Sequence, residues 1–472
     1  MLFSSMTFLF VFLPVVLLLY FVPVFESHSR ELNKKNFILC ISSLIFYAWG
    51  EPIYIVLMLI SIYFNYNIGL DIENNEWKPK KKKALLVFAV IFNLLVLGFF
   101  KYYGFVVDNI NNIFSVNITH TDLALPVGIS FYTFQALSYV IDVYRGNVQS
   151  QKKLLPFALY ITMFPQLIAG PIVQYSDIEA QLESRNMNVR KFAVGVLFFI
   201  RGLGKKVLFA NLIGAVYTQI TSNETASLSV VTAWLGIICY TMQIYFDFSG
   251  YSDMAIGLGK MFGFNLIQNF NFPYTAKSIK DFWSRWHISL SHWFRDYVYI
   301  PLGGNRKGTA RTIFNTAVVW TLTGLWHGAS WNFVVWGAYY GVLLIVEKFV
   351  FKDKIEKIPN WLRHVLTMII VMIGWVFFSS ENLSAAISYI MSMFALNHNA
   401  FWDSQALYYA TTALFPLCVM SFSAFGLVKS LPKIKKPSSR LTMQSAMYFA
   451  IFALCVIFLV SDTYNPFLYF RF

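Results

Sequence analysis

Histidine is the side chain best suited to moving a proton near neutral pH, and seven of them occur among the 472 residues. His287, His292 and His327 have strongly patterned surroundings. The segment Gly324-Leu-Trp-His-Gly-Ala-Ser-Trp331 ends one apolar run and opens the next. A helix over 312–327 would span about 24 Å, less than a hydrocarbon core of roughly 30 Å, which leaves His327 within the membrane thickness. An ionisable group at that depth is costly and reads either as functional or as a satisfied packing residue. Gly324 and Gly328 permit close backbone approach, and Trp326 and Trp331 are placed to wall a passage. A neutral imidazole there would take a proton from a hydroxyl and return it to a leaving thiolate. The expectation is that His327 sits where a passage from each face of the membrane meets.

A second candidate is His287, in Asp281-Phe-Trp-Ser-Arg-Trp-His-Ile-Ser-Leu-Ser291. Nearby Arg285, Arg295 and Arg306 suit a phosphate-bearing ligand, since guanidinium forks pair well with phosphate; equally, they would only anchor the segment to headgroups. Asp247 and Asp253 fall in an otherwise apolar run and need partners, with structural ion pairs as the plain reading. Gly257, Gly259 and Gly263 miss the dinucleotide spacing and read as helix packing. There is no phosphate-binding G-x-x-x-x-G-K-S/T loop, no H-E-x-x-H helix and no G-x-S-x-G elbow, so neither ATP-driven transport nor zinc proteolysis has support, and no metal site is expected.

The elements that must position these residues are membrane helices. Hydrophobic residues make up 57% of the chain and charged ones 13%, more apolar surface than a soluble core can bury. Hydropathy predicts helices near 6–24, 37–49, 52–70, 84–101, 126–144, 154–170, 192–211, 230–258, 312–327, 331–349, 364–379, 406–428 and 442–460. The first is read as a retained helix rather than a signal peptide. The four cysteines, Cys40, Cys239, Cys418 and Cys455, lie in apolar runs and read as buried thiols. The net charge of +14 sits in short connectors and reports topology and anionic lipid, not nucleic acid. Lys80 to Lys83 and the Lys433, Lys435, Lys436 cluster should face the cytoplasm, and the carboxyl terminus should face out. The mixed basic and aromatic stretch from Lys260 to Arg311 suits interfacial helices. One integrated, all-α membrane domain over 1–472 is expected.

The whole chain resembles the membrane-bound O-acyltransferase (MBOAT) family, in its alginate O-acetyltransferase AlgI and DltB-like branch. The resemblance runs through Met1-Leu-Phe-Ser-Ser5, Leu125-Pro-Val-Gly-Ile-Ser-Phe-Tyr132, Ile141-Asp-Val-Tyr-Arg-Gly146 and Phe164-Pro-Gln-Leu-Ile-Ala-Gly-Pro171, and is densest over Tyr245 to Gly263, Phe282 to Asn305 and Gly324 to Gly337. It implies a polytopic fold, a ring of about 11 or more transmembrane helices with interfacial and re-entrant helices around a central tunnel. It aligns His327 with the family's essential histidine and His287 with this branch's second histidine. It also implies O-acetylation of an exported polysaccharide or cell-envelope polymer in the bacterial cytoplasmic membrane. Acetyl-CoA or another acyl thioester would be a donor substrate rather than a bound cofactor, and an extracytoplasmic serine-hydrolase-like (SGNH-type) partner would be needed. The ending Phe467-Leu-Tyr-Phe-Arg-Phe472 resembles the F-x-Y-x-x-F terminus of the small membrane partner in teichoic acid D-alanylation, so Tyr469, in an extracytoplasmic tail over 465–472, reads as an acyl relay or as an interfacial anchor. The main rival class is a secondary transporter of an acylated or lipid-linked small molecule, against which stands the lack of an evident inverted repeat.

Overall fold

In a computed structural model, the chain is described at residues 1–22, 28–74, 76–121, 123–168, 170–222, 227–427, 437–461 and at Leu468. Among these residues regular structure is helical, without a strand. Among the described residues seven helices are long and apolar enough to cross a bilayer: Ile55–Glu73, Pro79–Phe114, Val230–Met261, Trp331–Phe351, Asn360–Ser379, Ser404–Ala424 and Thr442–Ser461. Phe8–Phe21 and Leu383–Met393 are shorter apolar helices. Large apolar side chains such as Phe415 and Phe449 are 78% and 73% exposed. Such exposure is ruinous in water but costs nothing when the surrounding solvent is lipid. The protein is a multi-pass membrane protein of the all-α class.

The chain divides into two compact units, Met1–Phe199 with Ser252–Ile267, and Ile200–Tyr251 with Gln268–Phe472. In the first unit, several polar groups inside the helix bundle satisfy one another. Asn65 and Asn93 exchange amide hydrogen bonds of 3.2 and 2.8 Å, as side chains must where no water competes. Arg185, 6% exposed, donates to the Tyr20 hydroxyl, the Phe262 carbonyl and the Asn36 side chain. Gly257 packs on another helix backbone: a Cβ there would lie 2.6 Å from the Gly195 carbonyl oxygen. Gly263, by contrast, has φ +89° in the turn just beyond that helix.

Several helices differ from the hydropathy pattern. The helix predicted near 84–101 runs over Pro79–Phe114, about 54 Å at the usual rise and well beyond the hydrocarbon core. Hydropathy reports the lipid-facing portion, whereas backbone hydrogen bonding continues past it. The stretch near 154–170 is two pieces, Leu154–Thr162 and Phe164–Leu167, with Met163 at ψ 107° between them. Pro165 has no N–H to extend the first piece and fits only the opening turn of a new one. Cys418 is exposed on a helix of which only 22% is buried, unlike the other three cysteines.

In the second unit the helix Gly308–His327 turns back into Trp331–Val346, and the two cross without room for side chains between them. A Cβ on Gly324 would lie 2.4 Å from the Phe333 carbonyl oxygen, and one on Gly337 would lie 2.4 Å from that of Trp320. The helix Asn360–Ser379 packs on Trp331–Val346. Its end is tied to the hairpin by the Asn332 amide, which donates to the Phe377 and Ser380 carbonyls at 3.2 and 2.8 Å. The basic and aromatic stretch forms only short helices, Ile279–Arg285 and Ile288–Phe294, followed by a π-helical turn over Arg295–Tyr299. None of these is long enough to span. Their Trp283, Trp286 and Trp293 rings are 8%, 2% and 5% exposed. A further π-helical turn, Lys205–Ala210, joins Val189–Gly204 to Asn211–Thr221.

Candidate active site

The helix Gly308–His327 ends on the candidate histidine, because Gly328 follows in an extended conformation. A Cβ on Gly328 would strike the Phe333 ring at 2.2 Å, so only glycine lets the chain turn this tightly after His327. The imidazole is 3% exposed. Edge-on rings enclose it, with centroids at 4.9 Å for Trp326, 5.0 Å for Trp336 and 5.1 Å for Phe378. Trp326 and Trp336 come from the hairpin itself, and Phe378 from Asn360–Ser379. The imidazole is thus shielded from solvent in this conformation. Ring enclosure keeps water from the reacting centre and strengthens every polar interaction inside it.

His287 is set differently. The helix Ile279–Arg285 stops, Trp286 is extended, and His287 takes the left-handed conformation, φ 45° and ψ 53°, before Ile288–Phe294 begins. Two backbone bonds to the strap 269–271 hold this bend: Ile288 N–H to the Asn269 carbonyl at 3.1 Å, and Asn271 N–H to the Arg285 carbonyl at 2.9 Å. Three groups converge on the Asn269 side-chain oxygen: the Ser289 N–H at 3.1 Å, the Ser289 hydroxyl at 2.9 Å and the His287 Nδ1 at 3.3 Å. Because the Ser289 N–H can only donate, the atom it meets is the amide oxygen, and a His287 Nδ1 that bonds it does so as the protonated nitrogen. Burial pushes the His287 pKa down to about 3, so the ring is neutral at physiological pH and its Nε2 carries the lone pair.

These two histidines share a neighbour. The Trp326 ring lies 4.9 Å from His327 and 5.9 Å from His287, and is itself 5% exposed. Phe248 stands edge-on to His287 at 4.8 Å. Spacing along the chain revealed neither Asn269 nor Trp336 nor Phe378, which reach the site from other elements.

The remaining candidates are placed as follows. Arg285 donates to Asp281 at 2.7 Å and to the Asn271 carbonyl at 3.3 Å. Arg295 forms a fork on Asp296 at 2.8 and 3.1 Å, a bond that raises its pKa further. Arg306 and His292 are exposed. Trp331 opens its helix 54% exposed, so the enclosing indoles at His327 are Trp326 and Trp336. Asp253 belongs to the first unit and is half-buried, while Asp247 lies buried in the second. Tyr469 lies outside the described residues, as does the rest of the 465–472 tail except Leu468.

The profile of the MBOAT, membrane-bound O-acyltransferase family, matches residues 150–378, a span that holds both histidines and the rings around them. A probable alginate O-acetylase AlgI of Pseudomonas putida is 37% identical over 100% of both chains. Its counterpart in Pseudomonas aeruginosa is 43% identical over 84% of this chain and 75% of its own. A peptidoglycan O-acetyltransferase of Helicobacter pylori is 37% identical over 84% of this chain and 80% of its own. With an enclosed imidazole inside the matched span and likeness at this level over most of the sequence, the chain belongs to the membrane-bound O-acyltransferase family and is a membrane acyltransferase.

Proposed function

We propose that this enzyme carries an acetyl group from a cytosolic thioester across the bacterial cytoplasmic membrane for O-acetylation of an exported polysaccharide or cell-envelope polymer, with His327 as the catalytic base. The observation that carries the reading is the imidazole at the end of Gly308–His327, enclosed by Trp326, Trp336 and Phe378. The activities that name its relatives, alginate and peptidoglycan O-acetylation, suggest the group transferred and the class of acceptor.

The donor is acetyl-CoA, and Arg285, Arg295 and Arg306 meet its phosphates. His327 takes the proton of an acceptor hydroxyl as that oxygen attacks the thioester carbonyl. The tetrahedral intermediate then expels the thiolate, which receives the proton back from the imidazolium. His287, neutral and oriented by Asn269, stands on the other side of Trp326 as the second polar group of the site. The acceptor hydroxyl is that of Tyr469, whose phenyl ester is a better leaving group than an alkyl ester. The serine of an SGNH-type extracytoplasmic partner then takes the acyl group from Tyr469 and passes it to the polymer.

The test uses the full chain in liposomes with acetyl-labelled acetyl-CoA, alongside mass spectrometry of the exported polymer from cells. Wild-type protein is expected to consume the thioester, and His327→Ala to be inactive while remaining folded. Wild-type polymer acetylation in His327→Ala cells overturns the assignment of the base. Export of an intact thioester or acylated small molecule without its cleavage makes the protein a transporter instead. Full activity in Tyr469→Phe removes the relay and leaves direct transfer.

A further inference from the structure

One charged pair is buried almost completely outside the histidine site. Lys206 and Asp247 lie 2.6 Å apart with side chains 4% and 2% exposed. Such a pair is expensive to desolvate, and an apolar pair of similar volume is often as good for stability or better. Its retention calls for extra hydrogen bonds and a task. The structure supplies one such bond from far along the chain: the backbone N–H of Leu468 donates to the other Asp247 oxygen, Oδ2, at 2.9 Å across 221 residues of sequence. One carboxylate thus spends one oxygen on a lysine and the other on the carboxyl-terminal tail.

The surroundings favour this use. Lys206 belongs to the π-helical turn Lys205–Ala210, an irregularity frequent at functional sites. The last helix, Pro437–Ser461, packs on that same turn. It comes so close that a Cβ on Gly204 would lie 2.9 Å from Ile451. The neighbouring Lys205 reaches the Ser249 hydroxyl at 3.3 Å, two residues beyond Asp247. The last helix is therefore seated beside the lysine, and the chain returns after it to the lysine's partner.

We propose that Asp247, with Lys206 as its counter-ion, is the docking point of the carboxyl-terminal tail. Taken together with the reading of Tyr469 as relay, on which this further step rests, Asp247 is then a positioning residue for acyl transfer. The tail behaves as a built-in ligand whose recognition is by a backbone N–H, so the anchor holds the chain whatever the side chain at position 468. A charge-assisted bond in a site closed to water is strong enough to fix the tail and single enough to be released as a unit.

The experiment is hydrogen exchange, read by mass spectrometry on the peptide after Ser461, with the full chain in lipid nanodiscs. Leu468→Pro removes the donor and leaves the ion pair intact. The double variant Lys206→Met/Asp247→Leu removes both charges, so that neither is left buried alone. Both are expected to speed exchange of the remaining tail amides about tenfold or more. Combining them should add nothing, because each removes the same bond. Leu468→Ala keeps the donor and should keep exchange slow. Unchanged exchange in the double variant overturns the proposal, as does loosening by Leu468→Ala equal to that by Leu468→Pro, which would assign the hold to side-chain packing. Activity separates this from the relay. A Tyr469→Phe protein that transfers normally with a protected tail removes the relay and leaves the anchor standing. A loosened tail accompanied by a fall in turnover at constant KM for acetyl-CoA supports both.

Discussion

The two histidines beside Trp326 are buried alike in different surroundings. His287 is fixed by hydrogen bonds: a left-handed backbone, a strap at 269–271 and three donors on one amide oxygen. Around His327 stand a helix end, a glycine that leaves no room for a Cβ without a shift of the Phe333 ring, and three rings. A hydrogen bond at Nδ1 orients the His287 ring, and the rings keep water from His327. In the proposed function the first is therefore the orienting group and the second the one that moves the proton.

Substitutions can break this contrast, and the largest effect belongs to His327→Ala. It should lower acyl transfer by about 10²–10⁴-fold, read as thioester consumption in liposomes, with thermal stability nearly kept. At the bonded site Asn269→Ala strands the His287 Nδ1–H and both Ser289 donors. A loss of about 3 kcal/mol in stability is expected, measured by thermal denaturation in detergent. A much smaller loss would mean that the strap, not the amide, fixes the ring. Gly337→Ala pushes a methyl into the Trp320 carbonyl beneath the His327 enclosure, and the same assay should show about 1–3 kcal/mol of destabilisation.

Acid sharpens the comparison further. With the folded His287 pKa lowered by burial to about 3, against the ordinary 6.5, the unfolded chain binds a proton that the folded one refuses. Stability from this group is complete above pH 6.5 and falls as pH drops towards 3, by roughly 2 kcal/mol at pH 5. His287→Gln should flatten that share of the pH dependence of melting between pH 7 and 5, and an unaltered profile would place a compensating charge beside the ring. The smallest effect is expected for Trp331→Phe at the exposed start of its helix, within about 0.5 kcal/mol of wild type in the melting assay.

Much of this arrangement was legible in the sequence. An apolar run ending in Gly-Leu-Trp-His-Gly declares both a helix and a histidine at its end, and the structure ends that helix on His327. The partners were not legible. Asn269 acts on a histidine 18 residues away through a strap without periodicity, and Phe378 reaches His327 from another helix. No window of local sequence encodes which helices become neighbours. Trp326 and Trp331 looked equivalent as walls because composition does not tell which face of a helix start meets lipid. The π-helical turns escaped notice for a related reason, since inserting one residue per turn leaves mean hydropathy unchanged while rotating everything that follows.

Gly324 and Gly337 leave no space between their helices, so that hairpin has no slack of its own. Trp326 and Trp336 are carried on it and cannot part by sliding one helix along the other. Of the three rings Trp326, Trp336 and Phe378, the last is mounted on a separate rod, at the end of Asn360–Ser379. Tilting that rod means giving up the two Asn332 amide bonds to the Phe377 and Ser380 carbonyls. Asn332 is thus the bolt that holds this separate wall against the hairpin.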